Sequence, residues 1–494
     1  MTPWYSSIPI PSRLVALVFA AIFAATSARG ADFNGDGMED LLFRDRTHND
    51  HRLRLVINSA DRSTRQLGIV LGKSSGPDRG FDVRSADFNG DGRSDILTRD
   101  LVSGITRIRL MNGVKTLAAG RLAELPENPA VVLITAADFN GDGRADLLYR
   151  HRDTGVWSVF TLDGLSVDRA ASGATRAGAW EQSRWVSSAD FNGDGRADLL
   201  VRNSQTLKWM LYLMDGKNVR KSTRLVGAPV SPVWQLQAVA DMNRDGRADL
   251  LLRHRDNGAW RSLFLDGGRV LESSGNIAIN RNPAYQLQLL TDLNADGFPD
   301  ALLRRPDSGR WQVQYLMNLA RLEGSGSPSL AHSPKMRIAD VADQDGDGYP
   351  EILTTNGSKW TSYDVRNLNA PIATALKIGS PSQFPVVCDP PNYYQFGTPA
   401  KPASASNRSA FLTWITPVTR ENGEALCAHE LAGYHIYYKG SSPKTSFAAH
   451  IADGQADSWL LDHLQPNRYS FRILSYDYQG FFSKSSSTLF KSIY

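Results

Sequence analysis

The sequence predicts an all-β chain: a seven-bladed β-propeller followed by a small β-sandwich. Three observations predict it. An acidic, glycine-rich phrase recurs seven times at near-constant spacing. The text between copies reads as four short strands. After Phe384 the composition changes, and a second set of alternating strands follows.

The repeat comes first. "ADFNGDGRADLL" stands at Ala137–Leu148 and returns unchanged at Ala189–Leu200; looser copies begin at Ala31, Ala86, Ala240, Thr291 and Ala342. The first aspartates of successive copies are separated by 55, 51, 52, 51, 51 and 51 residues. A fixed period of about fifty residues is what a four-stranded propeller blade needs. Within one period, from Trp185 to Val226, "WVSSA" precedes the acidic phrase and "LLVR" follows it. "KWMLYL", a turn "MDGKN" and "TRLV" complete the unit. These runs are apolar or alternating, and Gly, Asp and Asn punctuate them. No apolar pattern at 3.6-residue spacing lasts long enough for a helix, which excludes helical repeat arrays.

The phrase itself has the chemistry of a cation loop. Most copies read Asp-x-Asn-x-Asp-Gly-x-x-Asp. Hard cations such as Ca²⁺ take six to eight oxygens, and oxygen-bearing side chains at positions 1, 3, 5 and 9 supply them. Glycine at position 6 permits the left-handed turn. Position 7 varies, so its backbone carbonyl is the expected ligand. In that order, the first two copies offer Asp32, Asn34, Asp36, Met38, Asp40 and Asp87, Asn89, Asp91, Arg93, Asp95. The third and fourth offer Asp138, Asn140, Asp142, Arg144, Asp146 and Asp190, Asn192, Asp194, Arg196, Asp198. The fifth and sixth offer Asp241, Asn243, Asp245, Arg247, Asp249 and Asp292, Asn294, Asp296, Phe298, Asp300, but lose glycine at position 4 to Arg244 and Ala295, which is expected to weaken them. The seventh offers Asp343, Asp345, Asp347, Tyr349 and Glu351. Up to seven structural Ca²⁺ ions are expected.

An EF-hand or dockerin loop shares this opening but needs a carboxylate at position 12 and flanking helices. Position 12 is Phe43, Thr98, Tyr149, Val201, Leu252, Leu303 and Thr354, none of them acidic. The last acid runs directly into strand text, so each loop links two strands.

These residues resemble the FG-GAP/VCBS repeats of integrin α-subunit propellers and of many secreted bacterial proteins. "DFNGDGRADLLVRNSQTLKWMLYLMDG" (Asp190–Gly216) is similar to the bacterial form "DFNGDGxxDILWRNxxTGxxxxWLMNG". The resemblance covers about Asp32 to Phe384. It implies a calcium-stabilised propeller and little about the ligand.

The ends complete the organisation. Arg13 precedes the apolar run Leu14–Ala25, and the small residues Thr26 and Ala28 suit cleavage after Ala28. A run that short suits a signal-peptide core rather than a membrane span. Residues 1–28 are therefore read as a signal peptide, and the chain as secreted, extracellular or periplasmic, without a transmembrane segment. The propeller is assigned to 29–389 and a Pro/Ser/Asn-rich linker to 390–400. Residues 401–494 are assigned to the sandwich. "AFLTWITP" with Trp414, "LAGYHIYYKG" and "LQPNRYSF" with Tyr469 resemble a fibronectin type III domain, a family that implies a spacer or docking module. The two cysteines, Cys388 and Cys427, allow one pairing, which an oxidising compartment permits and which would contribute about 4 kcal/mol; two buried thiols are the alternative. Once the signal is removed, blade one lacks a first strand. "SQFPVVCD" (Ser382–Asp389) reads like the strand that precedes each loop and is expected to latch the ring there.

Two further columns follow the repeat. Arg44, Arg99, Arg150, Arg202, Arg253 and Arg304 each stand four residues after the last loop acid, with Thr355 in the seventh copy. They read either as inter-blade packing and pairing or as a basic ring that grips an anion. Trp157, Trp209, Trp260, Trp311 and Trp360 read either as inter-blade core or as an aromatic platform for sugar rings. "GKSSG" (Gly72–Gly76) fits a nucleophile-elbow pattern but lacks the following helix. No HExxH or Ser/His/Asp set stands out, so no catalytic residues are assigned. The formal charge is +4, from 55 basic and 51 acidic residues. Because many of those acids sit in the loops, a calcium-loaded chain would be strongly basic elsewhere. That surplus either favours polyanionic partners or merely solubilises the fold. The sequence thus reads as a binding or adhesion scaffold for an extracellular or cell-surface ligand, with acidic polysaccharide as the expected class and no nucleic acid. A polysaccharide lyase on the same scaffold is the alternative.

Overall fold

The computed structural model describes residues 31–376, except 46–50, 58–64, 73–80, 101–102, 129, 152–153, 176–182, 204–205, 232, 275–276, 306, 329, 331, 334–335 and 357–358; beyond them it describes 410–413, 431–441, 446–451, 458–461, 464–477 and 488–493. The signal segment, the latch Ser382–Asp389, the linker, Cys388, Cys427, Trp414 and most of "GKSSG" lie outside these residues. The fold is all-β, with no helix among the described residues.

The repeat region forms successive antiparallel sheets whose strands pair in chain order. Sheet one has three strands, Leu41–Asp45, His51–Ile57 and Arg65–Gly72. At the place of the first strand, the described residues show one bridge, Ala31 with Asp40. Sheet two runs from Phe81–Ala86 to Lys115–Arg121, sheet three from Val131–Ala137 to Ser166–Ala174, sheet four from Ser183–Ala189 to Asn218–Arg224, and sheet five from Trp234–Ala240 to Arg269–Ser274. Each has four strands. Sheet seven, Arg337–Ala342 to Ile372–Leu376, repeats the pattern.

Sheet six begins Gln286–Thr291 but divides into three strands and a small hairpin, Leu316–Met317 with Ala320–Arg321. Its turn also differs. The preceding sheets place glycine there, at φ 58° for Gly113 and 59° for Gly164, whereas sheet six places Asn318 and Leu319 at 47° and 65°. A leucine at positive φ costs about 1–2 kcal/mol. Here its side chain is buried with Met242, the unbranched residue that replaces phenylalanine in the loop below.

Apolar residues on both faces of each sheet pack against its neighbours. Position 2 of six loops, Phe33, Phe88, Phe139, Phe191, Met242 and Leu293, is fully buried between consecutive sheets. In the seventh loop Gln344 holds that position. Sheets three to seven share a one-residue bulge in the first strand, for example between Leu133 and Thr135, which increases local twist. Successive antiparallel sheets of up to four strands that pack face to face are blades of a β-propeller fold.

The C-terminal part is a β-sandwich. Ala410–Thr413 pairs with Ser458–Leu461, and a second sheet runs in the order Ser446–Ile451, Leu431–Gly440, Asn467–Asp477, Leu489–Ile493. Ala410 and Leu461 from one sheet share a core with Tyr434, Ile436, Tyr469, Phe471 and Ile493 from the other. Ser446–Ile451 is a strand that the sequence reading missed.

Candidate metal-binding loops

Each loop folds because its acids cap its own backbone. In the third copy, Asp138 accepts at Oδ1 from the Asn140 and Gly141 N–H groups (3.2 and 2.6 Å), and at Oδ2 from Gly143 N–H (2.8 Å). Asn140 Oδ1 accepts from Asp142 N–H (2.9 Å), and Asp142 Oδ1 from Arg144 N–H (2.9 Å). Short Asp and Asn side chains favour such local turns, which explains their spacing of two. The bond from the position 6 N–H to the first acid recurs in all seven loops, at 2.7–2.9 Å.

The ninth position does more than the pattern suggested. Asp146 accepts at Oδ2 from Phe139 N–H and at Oδ1 from Leu162 N–H, both 3.1 Å, so one carboxylate ties the loop to the third strand. Asp95, Asp198, Asp249 and Asp300 make the same two bonds. Asp40 and Glu351 make the first of them. Burial pushes Asp95 and Asp146 up to about 7 and Asp198, Asp249 and Asp300 up to about 8, and the carboxylates at positions 1 and 5 add to the rise. Glu351 rises to about 7 for the same reasons. Burial also raises Asp241, Asp292 and Asp343, with neighbouring acids contributing. Acids crowded in this way disfavour one another's charged forms. In the seventh loop, carboxylate oxygens of Asp343, Asp345 and Glu351 lie within 4.8 Å of one another, the one such acid trio among the described residues. In the other six loops asparagine stands at position 3, so the matching set has two acids and an amide oxygen. This donor set is hard and oxygen-only, which fits Ca²⁺.

The side chain of position 7 is a feature that sequence reasoning passed over. It lies against the position 4 glycine of the preceding loop: a Cβ on Gly90 would sit 3.1 Å from Arg144 Cγ, and one on Gly141 3.2 Å from Arg196 Cγ. Arg196 Nε donates to Asn140 O in that loop (2.9 Å), and Arg93 and Arg247 reach Asn34 O and Asn192 O (both 3.4 Å). The same arginines face their own position 5 acids: Arg93–Asp91 and Arg144–Asp142 at 3.1 Å, Arg196–Asp194 at 3.4 Å and Arg247–Asp245 at 3.8 Å. Where glycine is lost, the roles reverse. Arg244 stands at position 4 with φ 62°, donates to Asp296 O (2.9 Å), and lies 5.3 Å from the Phe298 ring that replaces arginine at position 7. Ala295 also keeps the left-handed turn, at φ 59°. The pairing of Gly at position 4 with Arg at the next position 7 was the signal for this contact.

Consecutive loops are also tied through the backbone. The position 8 N–H donates to the position 1 carbonyl of the preceding loop: Ser94 to Asp32, Ala145 to Asp87, Ala197 to Asp138 and Ala248 to Asp190, at 2.7–2.8 Å. Pro299 and Pro350 have no N–H and leave two links unmade. Glu39 N–H donates to Asp343 O at 2.9 Å, and Glu39 Oε2 accepts from Asp343 N–H at 3.1 Å, joining the seventh loop to the first. Met38 lies against Gly346 there, as arginine does elsewhere.

The arginine column is not an anion-gripping ring. Arg99, Arg150, Arg253 and Arg304 are buried and Arg202 is half-buried. Arg253 donates to Tyr285 O (2.5 Å) and Asn282 O (2.8 Å), and lies 4.8 Å from the Trp260 ring directly across the strand pair. Arg202 repeats this with Ser231 O and Trp209, as Arg304 does with Ser333 O and Trp311. Arg150 lies over Trp157. Where Thr106 replaces tryptophan, Arg99 bonds its hydroxyl (3.0 Å) and lies over Tyr149 of the next sheet. The guanidiniums of Arg99, Arg202, Arg253 and Arg304 therefore hold the connection to the next sheet through its carbonyls. Burial pushes Arg253 down to about 10. Trp157, Trp209, Trp260, Trp311 and Trp360 are at most 2% exposed, so they form core and offer no sugar platform. The side chain of Arg44 lies outside the described set.

A family model of repeats agrees with this architecture. The model of the FG-GAP-like repeat matches residues 32–98, 190–252 and 292–354. Integrin alpha-7 of Mus musculus is 24% identical over 265 residues, 47% of this chain, and the chain spans 21% of that relative's length. Among solved structures, the Tc holotoxin pore of Photorhabdus luminescens aligns with 87% of this chain and 22% of its own, at 14% identity and a TM-score of 0.37. Prolyl oligopeptidase B from Galerina marginata aligns with 93% and 56%, at 9% identity and a TM-score of 0.40. Likenesses that distant carry no information about activity. Among the described residues no helix is long and apolar enough to cross a membrane. The chain carries FG-GAP-like repeats, and they build an all-β fold of β-propeller type.

Proposed function

We propose that the repeat region is a closed seven-bladed propeller, held by calcium in its loops, and that the chain is an exported binding scaffold for acidic polymers such as acidic polysaccharide. The observation that carries this reading is the sevenfold loop with its crowded carboxylates, culminating in Asp343, Asp345 and Glu351. Ring closure is supported by the Glu39–Asp343 backbone bond, which occupies the same loop positions as the other inter-loop bonds. Positions 1, 3, 5 and 9 and the carbonyl of position 7 would hold the ion in each loop. A bound Ca²⁺ would add positive charge among these carboxylates and so rigidify the loop face. The oxygens at positions 1 and 3 are already oriented by their bonds to the loop backbone. Because Arg99, Arg150, Arg253 and Arg304 are buried and Arg202 is half-buried, polymer binding is assigned to other cations.

The test is a melting curve of the whole chain in millimolar calcium and in chelator. Calcium at a hundred times its dissociation constant stabilises by about 2.7 kcal/mol for each site. Identical curves in the two conditions would refute structural calcium.

A further inference from the structure

We propose that the outer face of the four-stranded C-terminal sheet is the docking surface for an acidic polysaccharide. The proposal rests on the reading of the chain as a scaffold for acidic polymers and places the contact.

Strand alternation creates this face. In Leu431–Gly440, Tyr434 and Ile436 enter the core, so His435, Tyr437 and Lys439 stand on the other side. Their cross-strand partners share that side: Tyr437 stands opposite Arg472, and Lys439 opposite Ser470. Ser470 in turn stands opposite Phe490, and Arg468 opposite Ser492. Tyr437 is 45% and Phe490 64% exposed, unusual values for rings on strands whose other face is packed. His435 and Tyr437 stack with ring centres 6.0 Å apart, and the Arg468 guanidinium lies 5.2 Å from the Phe490 ring. Arg472 Nε donates to Thr488 Oγ1 at 2.7 Å, which holds the guanidinium along the sheet.

Charge decides the occupant. Arg468, Arg472 and Lys439 are exposed, and no Asp or Glu stands among the described residues of this face. Among the described residues none of the three pairs with an acid, whereas the arginines of the loops face carboxylates and those of the column are buried. Arginine grips carboxylate and sulfate groups in two-point fashion. Exposed rings between cations offer flat apolar contact to the C–H faces of sugars. Strand geometry places Arg468 and Arg472 about 14 Å apart, with Lys439 between them on the neighbouring strand. An extended polymer bearing regular negative charge fits that row. A neutral glycan would leave the cations unused.

The experiment uses the whole chain in calcium and measures binding to immobilised polygalacturonate, with dextran as the neutral control. Wild type is expected to bind polygalacturonate and not dextran. The pair Arg468→Gln with Arg472→Gln, and separately Tyr437→Ala with Phe490→Ala, are each expected to weaken binding by about tenfold or more while melting as wild type does. Arg468→Lys with Arg472→Lys retains charge and is expected to recover part of the loss. If wild type binds and both pairs bind within twofold of it, the placement is overturned and the acidic-polymer reading stands. If wild type binds no polygalacturonate at low salt, both fall. If the chain instead self-associates and the ring substitutions abolish that, the face belongs to a second copy and the proposal is overturned.

Discussion

At the scale of single residues, acids of one loop have separable tasks. Asp146 satisfies two buried N–H groups, while Asp142 faces the half-exposed Arg144. Asp146→Ala is expected to cost about 2–5 kcal/mol even in chelator, because both donors lose their partner. Asp142→Ala is expected to change stability in chelator by less than about 1 kcal/mol, yet to remove one bound ion. Chemical unfolding in chelator, with metal analysis of the loaded protein, checks both. Arg253→Gln is expected to cost about 2–4 kcal/mol, since it strips two carbonyls of a charged donor and Trp260 of its cation, and to leave polymer binding unchanged. The sequence showed that these arginines recur but not where they point. A strand residue faces core or solvent according to its neighbours, and Arg150 announced neither. The tryptophan seven residues later in the same blade was the clue, because an antiparallel hairpin of that length sets the two opposite each other.

At the scale of the loop and blade, strand order, loop position and turn glycines were legible, because a sevenfold repeat averages out local noise. The inter-loop contacts were less legible, since each pairs position 4 of one copy with position 7 of the next, and one copy read alone shows neither partner. The Arg244–Phe298 exchange tests this contact. Arg244→Gly and Phe298→Arg are each expected to destabilise. The double variant restores the glycine–arginine arrangement of loops one to four and should recover, with a coupling of about 1 kcal/mol in a double-mutant cycle. Additive effects would show that the two positions do not communicate. Sheet six departs from the pattern, and its turn buries Leu319 at a positive φ. The strand Ser446–Ile451 was missed because "SFAAHI" lacks strict alternation, although Gly440–Pro443 and Asp453–Gly454 flank it with turn residues.

At the scale of the whole molecule, a ring of blades is as stable as its weakest joint. In the proposed ring, the joint between blades seven and one would have Gln344 where the others have an apolar residue, and the Glu39–Asp343 bonds would lie in it. In blade one the described residues show the Ala31–Asp40 bridge at the place of the first strand, and Ser382–Asp389 is proposed to pair there. A chain ending at Gly379 is expected to melt several degrees below one ending at Asp389, or to aggregate through the open edge. Equal melting would exclude the latch. The central claim, seven calcium loops in one closed fold, is tested most directly by counting ions. Native mass spectrometry of the whole chain, after dialysis in millimolar calcium, is expected to show five to seven Ca²⁺ per molecule, all lost in chelator; a chain that holds none or one would contradict it.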